Sequence, residues 1–265
     1  MTRAPIPDLV PGERRLEGAV ARYLARVLRL RAGDPFVAFD PASGREADAV
    51  TVSTDHDTIT VSFGALREGA VRADRAIVWI QGLTRGDKCD AVVRDATELA
   101  ATRLIVARTQ RSVVTLDPAR ASERQARWTR IAQQAARQCG RSDPPVVDPP
   151  CAWGEALGRV PAGVARFCLW ERATEPLGVP LFEVLARGVS LAFACGPEGG
   201  LEDDEAEQAR AAGWTIASLG AIALRTETVA AAVLGAVRVW TDAFDPRPRP
   251  RAPAPRSPPL GHEPA

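Results

Sequence analysis

The spacing of apolar residues changes along the chain and divides it. Between residues 17 and 30, Val20, Leu24, Val27 and Leu28 recur at helical spacing and predict one amphipathic helix, which Gly33-Asp34 ends. Runs of strand character follow at 35–39, 47–53 and 58–63, separated by turn formers at 42–44 and 55–57. A short helix among closely spaced strands predicts a small β-rich barrel over residues 1–72. From Ala76 onward, apolar strands at 76–81, 104–107, 164–170, 189–195 and 214–219 alternate with helical patterns over 88–100, 122–139, 201–212 and 226–244. Strands that are apolar without interruption are buried on both faces, so residues 73–244 are expected to form a parallel α/β sheet. Residues 245–265 are rich in proline and arginine and have little to bury, which predicts a disordered tail.

Composition narrows the function classes. Hydrophobic residues make up 46% and charged residues 25%, as in soluble globular proteins. No apolar run approaches the ~18 residues needed to cross a bilayer, and no apolar signal segment follows Met1, so a cytoplasmic protein without a membrane partner is expected. The five cysteines are widely spaced and form no C-x-x-C pair, which points away from zinc and from a disulfide framework. The only histidines, His56 and His262, sit in a turn-like and a proline-rich context, so no metal centre and no Ser-His-Asp triad is expected.

Net charge is only +1, but the arginines cluster. Lys88 is the sole lysine, so compositional bias accounts for most of the arginine usage. Two stretches remain strongly basic: Arg14 to Arg31, opposed only by Glu17, and Arg103 to Arg141, opposed only by Asp117 and Glu123. Clustered arginine is the electrostatic footprint of phosphate-backbone binding. Arg127, Arg130, Gln134 and Arg137 share one side of the helix over 122–139, with Trp128, Ile131 and Ala135 on the core side. A merely solvated basic face is the alternative for that helix.

Two loops carry candidate chemistry. Cys195-Gly196-Pro197-Glu198-Gly199-Gly200-Leu201 directly follows a strand, where open α/β sheets bind their ligands. It lacks the G-K-[ST] and G-x-G-x-x-G patterns of phosphate cradles, and Glu198 would repel an anion. A nucleoside-type ligand with hydroxyls and a positive centre suits it better. The second loop, Ser218 to Thr228, also follows a strand and opens a helix, with Thr226 as a reasonable N-cap. Arg225 stands just before that helix N-terminus, where a cation is unfavourable, and such local conflicts are often functional.

These two motifs, one helix and one strand apart, resemble the small-subunit ribosomal RNA uracil-N3 methyltransferase family. Upstream segments extend the likeness: Trp79 through Lys88, Asp95-Ala96-Thr97-Glu98-Leu99, Gln110-Arg111-Ser112-Val113, Ala132 through Arg141, and Arg26-Val27-Leu28-Arg29. Arg85 and Asp95 stand where the family often has lysine, Ala100 where it has glycine, Gln134 where it has glutamate, and Ala221-Ile222 where Pro-Arg is frequent.

The resemblance implies a SPOUT α/β-knot, a parallel sheet with a deep carboxyl-terminal trefoil knot, behind a PUA-like RNA-binding β-barrel. It implies S-adenosyl-L-methionine held by Trp170, Glu171, Cys195, Gly196, Pro197, Glu198, Gly199, Gly200, Leu219, Gly220, Ile222, Leu224 and Arg225. Arg225 is the candidate for stabilising the uracil anion, with Glu198 and Glu227 as candidates for a base or a ribose contact. Arg22, Arg26, Arg29, Arg85, Arg111, Arg127, Arg130 and Arg137 are the candidate RNA contacts. The implied partners are 16S ribosomal RNA in the small ribosomal subunit and a second copy of the chain; the last helix, with Val229, Val233, Leu234, Val237 and Trp240, is apolar enough to pack at such an interface or, equally, into the core of its own chain. Two alternatives stand beside this reading: a SPOUT enzyme with another target, such as a ribose 2′-hydroxyl, and a non-catalytic RNA-binding homologue.

Overall fold

The computed structural model describes residues 2–55, 57–112 and 117–244. The expectations for His56 and for the tail over 245–265, which includes His262, lie outside the described residues.

The amino-terminal part is a six-stranded sheet. Its strands are β1 (Arg3–Pro5), β2 (Gly12–Glu17), β3 (Pro35–Phe39), β4 (Arg45–Thr54), β5 (Thr58–Phe63) and the short β6 (Arg67–Glu68). The hydrogen-bonded order is β1-β3-β4-β5-β2, with β6 on β4. Ile6, Leu24, Phe36, Ile59 and Val61 are buried in the core of this part.

The single helix expected over 17–30 is shorter and differently wound. Residues 12–17 are drawn into strand pairing with β5, from Gly12 opposite Phe63 to Glu17 opposite Thr58. Gly18 then takes a φ of 65°, which costs glycine little, and turns the chain into α1 (Gly18–Arg22). A π-helical turn over Tyr23–Val27 follows, and Arg29 leaves it at a left-handed φ of 54°. Helical spacing alone does not separate an α-turn from a π-turn, and β2 carries no clear alternation of its own.

The second part is the expected parallel sheet. Its elements are β7 (Ile77–Gly82), α2 (Lys88–Glu98), β8 (Arg103–Arg108), α3 (Pro118–Cys139), β9 (Val146–Val147), β10 (Cys151–Ala152), α4 (Trp153–Gly158), β11 (Ala165–Leu169), α5 (Gly178–Ala186), β12 (Leu191–Cys195), α6 (Asp203–Ala211), β13 (Thr215–Ala217) and α7 (Thr226–Phe244). The order is β10-β8-β7-β12-β11-β13, with β9 on β8, and every recorded pairing is parallel. Strand side chains alternate between two cores. Ile77, Trp79, Leu104 and Phe193 face α2, α3, α5 and α7, whereas Val78, Ile80, Ile105 and Ala194 face α4 and α6. Burial on both faces is why these strands read as unbroken apolar runs.

α3 begins earlier than the expected Ser122. Asp117 caps it by accepting the Arg120 N–H at 2.9 Å, and Pro118 follows at the first turn. The short helices α4 and α5 were not expected: the six residues of α4 hold too few turns for a period to show, and α5 carries Pro180 and a single charged residue, Glu183, so it has no polar face to mark a period. Val233, Leu234 and Val237 of α7 are buried in the sheet's own core, whereas Trp240 is exposed and meets Phe182 edge-on at 5.3 Å.

A polar cluster joins the two parts. Glu46, 2% exposed, accepts from Arg3 at 2.9 Å, Ser142 at 3.0 Å and Arg67 at 3.2 Å. Burial alone would raise the Glu46 pKa, but hydrogen bonds from Arg3 and Ser142 and the charges of Arg3 and Arg67 carry it below its usual value. Nearby, the buried Arg141 donates to the carbonyls of Thr97, Ala101 and Asp143, closing the end of α2 against the chain after α3.

Candidate active site

In a parallel sheet all strands end at the same edge, so the loops after β7, β11, β12 and β13 gather there. They enclose a cavity of about 910 Å³. Every residue named above for the cofactor lines it: Trp170 and Glu171 after β11, Cys195 to Gly200 after β12, and Leu219, Gly220, Ile222, Leu224 and Arg225 after β13. Glu227, in the first turn of α7, lines it as well.

Each wall has a local cause. The Gly196-Pro197 peptide lies against the end of β7, where a Cβ on Gly82 would fall 2.4 Å from the Pro197 nitrogen. Gly200 takes a φ of 73°, and a Cβ there would meet the Glu171 carboxylate at 2.3 Å. Arg111 clamps the outside of the loop, donating to both carboxylate oxygens of Glu202 at 2.7 and 2.9 Å and to the Gly199 carbonyl at 2.6 Å. The loop after β11 is tied to β13 by Trp170 N–H to the Ala217 carbonyl at 3.0 Å, and its indole donates to the Leu201 carbonyl at 3.3 Å. Arg172 stacks over the Trp170 ring at 4.7 Å and pairs with Asp203.

The charged groups in the cavity differ in how far they are satisfied. Glu198 accepts from the Lys88 ammonium at 3.0 Å and the Arg85 backbone N–H at 3.1 Å. Burial would raise its pKa, but these donors and its own N–H lower it, so it stays ionised and paired. Arg225 is exposed to the cavity, and among the described residues no group pairs with its guanidinium. One carboxylate oxygen of Glu227 is shut off from solvent and has no hydrogen-bond partner. Thr226 does not cap α7: its hydroxyl donates to the Gly196 carbonyl at 2.8 Å. The Arg225 carbonyl accepts the first helical N–H groups instead, from Thr228 and Val229.

The arginines expected on RNA separate into groups. Arg22, Arg26, Arg29, Arg85 and Arg130 are exposed. Arg127 pairs with Asp90, and Arg137 lies over the Tyr23 ring at 5.1 Å, which brings α3 beside the π-turn. Arg111 belongs to the cavity wall, a role that depends on Glu202, 91 residues away, and was not visible from its neighbours. Lys88, Leu169 and Val229 also line the cavity and were not anticipated there. Lys88 did carry a signal, as the only lysine and at the first position of a helix, where a cation is disfavoured. Among the described residues no cluster of metal-ligating side chains occurs, and no helix is long and apolar enough to cross a membrane.

The RNA methyltransferase domain family matches residues 72–238, and the RNA methyltransferase PUA domain family matches residues 16–63. The ribosomal RNA small subunit methyltransferase E of Mycobacterium bovis is 32% identical over 235 residues, covering 87% of each chain. The chain belongs to the ribosomal RNA small subunit methyltransferase E family. The Bacillus subtilis member is 28% identical over 231 residues, covering 86% of this chain and 90% of its own. A Neisseria gonorrhoeae member, whose crystal structure is described as bound to S-adenosyl methionine, superposes with a TM-score of 0.81 at 27% identity, covering 90% of this chain and 97% of its own. The methyltransferase family thus spans both parts of the chain, with the cavity in the portion matched by its catalytic domain.

Proposed function

We propose that this chain transfers a methyl group from S-adenosylmethionine to N3 of a uridine in 16S ribosomal RNA of the small ribosomal subunit, in the cytoplasm. The observation that carries this reading is one cavity, in a chain of this family, lined by the unpaired guanidinium of Arg225 and by the carboxylate residue Glu227.

The cavity fits the cofactor. Its volume of about 910 Å³ lies in the ~300–1,000 Å³ range of small-molecule sites. The 196–200 and 219–225 loops offer backbone groups and short side chains to a nucleoside, and the Glu171 carboxylate offers acceptors for hydroxyls. When bound, S-adenosylmethionine supplies an electrophilic methyl group on a positively charged sulfur. The residues of the chain position and activate the other reactant. Uracil N3 carries a proton near neutral pH and must lose it before it attacks carbon. Glu227, whose half-buried side chain lines the cavity, is the proton acceptor in this reading, whereas Glu198, already paired with Lys88, holds its loop in place. Arg225 stabilises the negative charge that spreads onto the uracil oxygens. N3 lies on the pairing edge, so the base enters the cavity unpaired or flipped from its stack.

The exposed arginines of α1, the π-turn and α3 extend a basic face next to the amino-terminal sheet and supply phosphate contacts. A second copy of the chain covers the apolar surface formed by Val179, Phe182, Val239 and Trp240 on α5 and α7. The knotted threading is supported by the strand order β7-β12-β11-β13 and by the connection from β13 to α7, which meets the connection leaving β12 at Gly196. Mass spectrometry of 16S ribosomal RNA nucleosides from a strain lacking the gene tests the function. The expected result is loss of 3-methyluridine, restored by the gene on a plasmid. Loss of a 2′-O-methylated nucleoside, or no change, refutes the proposal.

A further inference from the structure

Gln81 lies behind the cavity wall, at the carboxyl end of β7, and is 2% exposed. Its side-chain oxygen accepts the Trp79 indole N–H at 3.2 Å and the Cys195 thiol at 3.3 Å. Both neighbours are donors there, because burial pushes the Cys195 thiol up to about 12 and an indole nitrogen only donates. The orientation of the amide is therefore fixed, with its nitrogen towards Thr226 Oγ1 at 2.7 Å and the carbonyls of Gly82 at 3.1 Å and Gly196 at 3.2 Å. Thr226 passes the chain on, donating to the same Gly196 carbonyl at 2.8 Å. The amide thus contacts the first peptide of the glycine-rich loop and the residue after Arg225 at once.

We propose that Gln81 is a positioning residue for methyl transfer: its carboxamide sets the spacing between the 196–200 loop and the Arg225–Thr226 turn. Gln81 does not line the cavity, so it acts only through those two walls. The inference rests on the placement of the cofactor between them.

The test compares Gln81→Met, Gln81→Glu, Thr226→Val and Thr226→Ser with the wild type. S-adenosylmethionine affinity is measured by calorimetry, turnover on small ribosomal subunits by methyl incorporation, and folding by thermal melting. Gln81→Met and Thr226→Val each weaken cofactor binding roughly tenfold or more, the size of one or two lost buried hydrogen bonds. The double variant is no weaker than the worse single one, because both remove the same bridge. Thr226→Ser, which keeps the hydroxyl, stays near wild type. Gln81→Glu donates a hydrogen bond only while protonated, so its turnover relative to wild type falls as pH rises through the buried carboxyl's raised pKa.

Gln81→Met with wild-type affinity and turnover overturns the inference. So does a Gln81→Glu to wild-type ratio that does not change with pH, which would mark the residue as packing alone. Should Gln81→Met fail to fold, the pH ratio and the Thr226 pair still decide. If the wild type itself binds no S-adenosylmethionine, the reading of the cavity fails; if it binds and the Gln81 variants match it, only this inference fails.

Discussion

Arg225 and Glu198 show how the same cavity uses charged residues in opposite ways. Glu198 is held by Lys88 and by a backbone N–H, whereas Arg225 is kept without a partner at the entrance to α7, where the helix dipole disfavours it. A cation retained against its local electrostatics is free to meet charge that develops only during reaction. Arg225→Ala is therefore expected to lower turnover by at least ~10²-fold, the usual cost of losing one such charge-stabilising group, while calorimetry still detects S-adenosylmethionine binding. Loss of binding in that variant would reassign Arg225 to the cofactor. At this scale most of the cavity lining was legible because it is contiguous in two short motifs, each directly after an apolar strand. The parts Arg111 and Gln81 play behind the cavity wall were not legible, because the loop partners that define them lie 88 to 145 residues away.

The loops are placed by the ends of the elements that carry them. Gly82 closes β7 against the Gly196-Pro197 peptide, with backbone rather than a flexible side chain in the way of a Cβ. Gly82→Ala is expected to push that loop outward and weaken cofactor binding more than it lowers the melting temperature. Equal binding in the two proteins would show that the loop yields without consequence. At the end of α2, Ala100 adopts a left-handed φ of 72°, a conformation that suits glycine. An alanine there costs about 1–2 kcal/mol, offset by the ~0.4–1 kcal/mol that glycine loses through the unfolded chain. Ala100→Gly should raise stability by roughly 0.5–1 kcal/mol in urea denaturation. The longer helices and buried strands were readable from their periods, whereas the π-turn is irregular, α4 is too short and α5 lacks a polar face.

The whole molecule depends on how its two parts are joined. Glu46, held by Arg3 within its own sheet, accepts from Ser142 across the join, and its pKa in the folded chain lies below the ordinary value of 4.5. A lowered carboxylate pKa contributes stability that is complete above the unfolded value and is lost as pH falls through the folded one. Glu46→Gln should cost roughly 1–3 kcal/mol near neutral pH, with the gap to wild type narrowing below about pH 4.5, as melting curves across pH would record. The division into two parts was visible where the apolar rhythm changes near Ala76, but this junction was not, since Glu46 and Ser142 are 96 residues apart. The central claim is that the two loops at the strand ends clasp a methyl donor beside Arg225. The most direct measurement is the difference electron density of crystals grown with S-adenosylmethionine. The account predicts density for the cofactor between the 196–200 and 219–225 loops; density elsewhere on the chain, or an empty cavity at saturating cofactor, would contradict it.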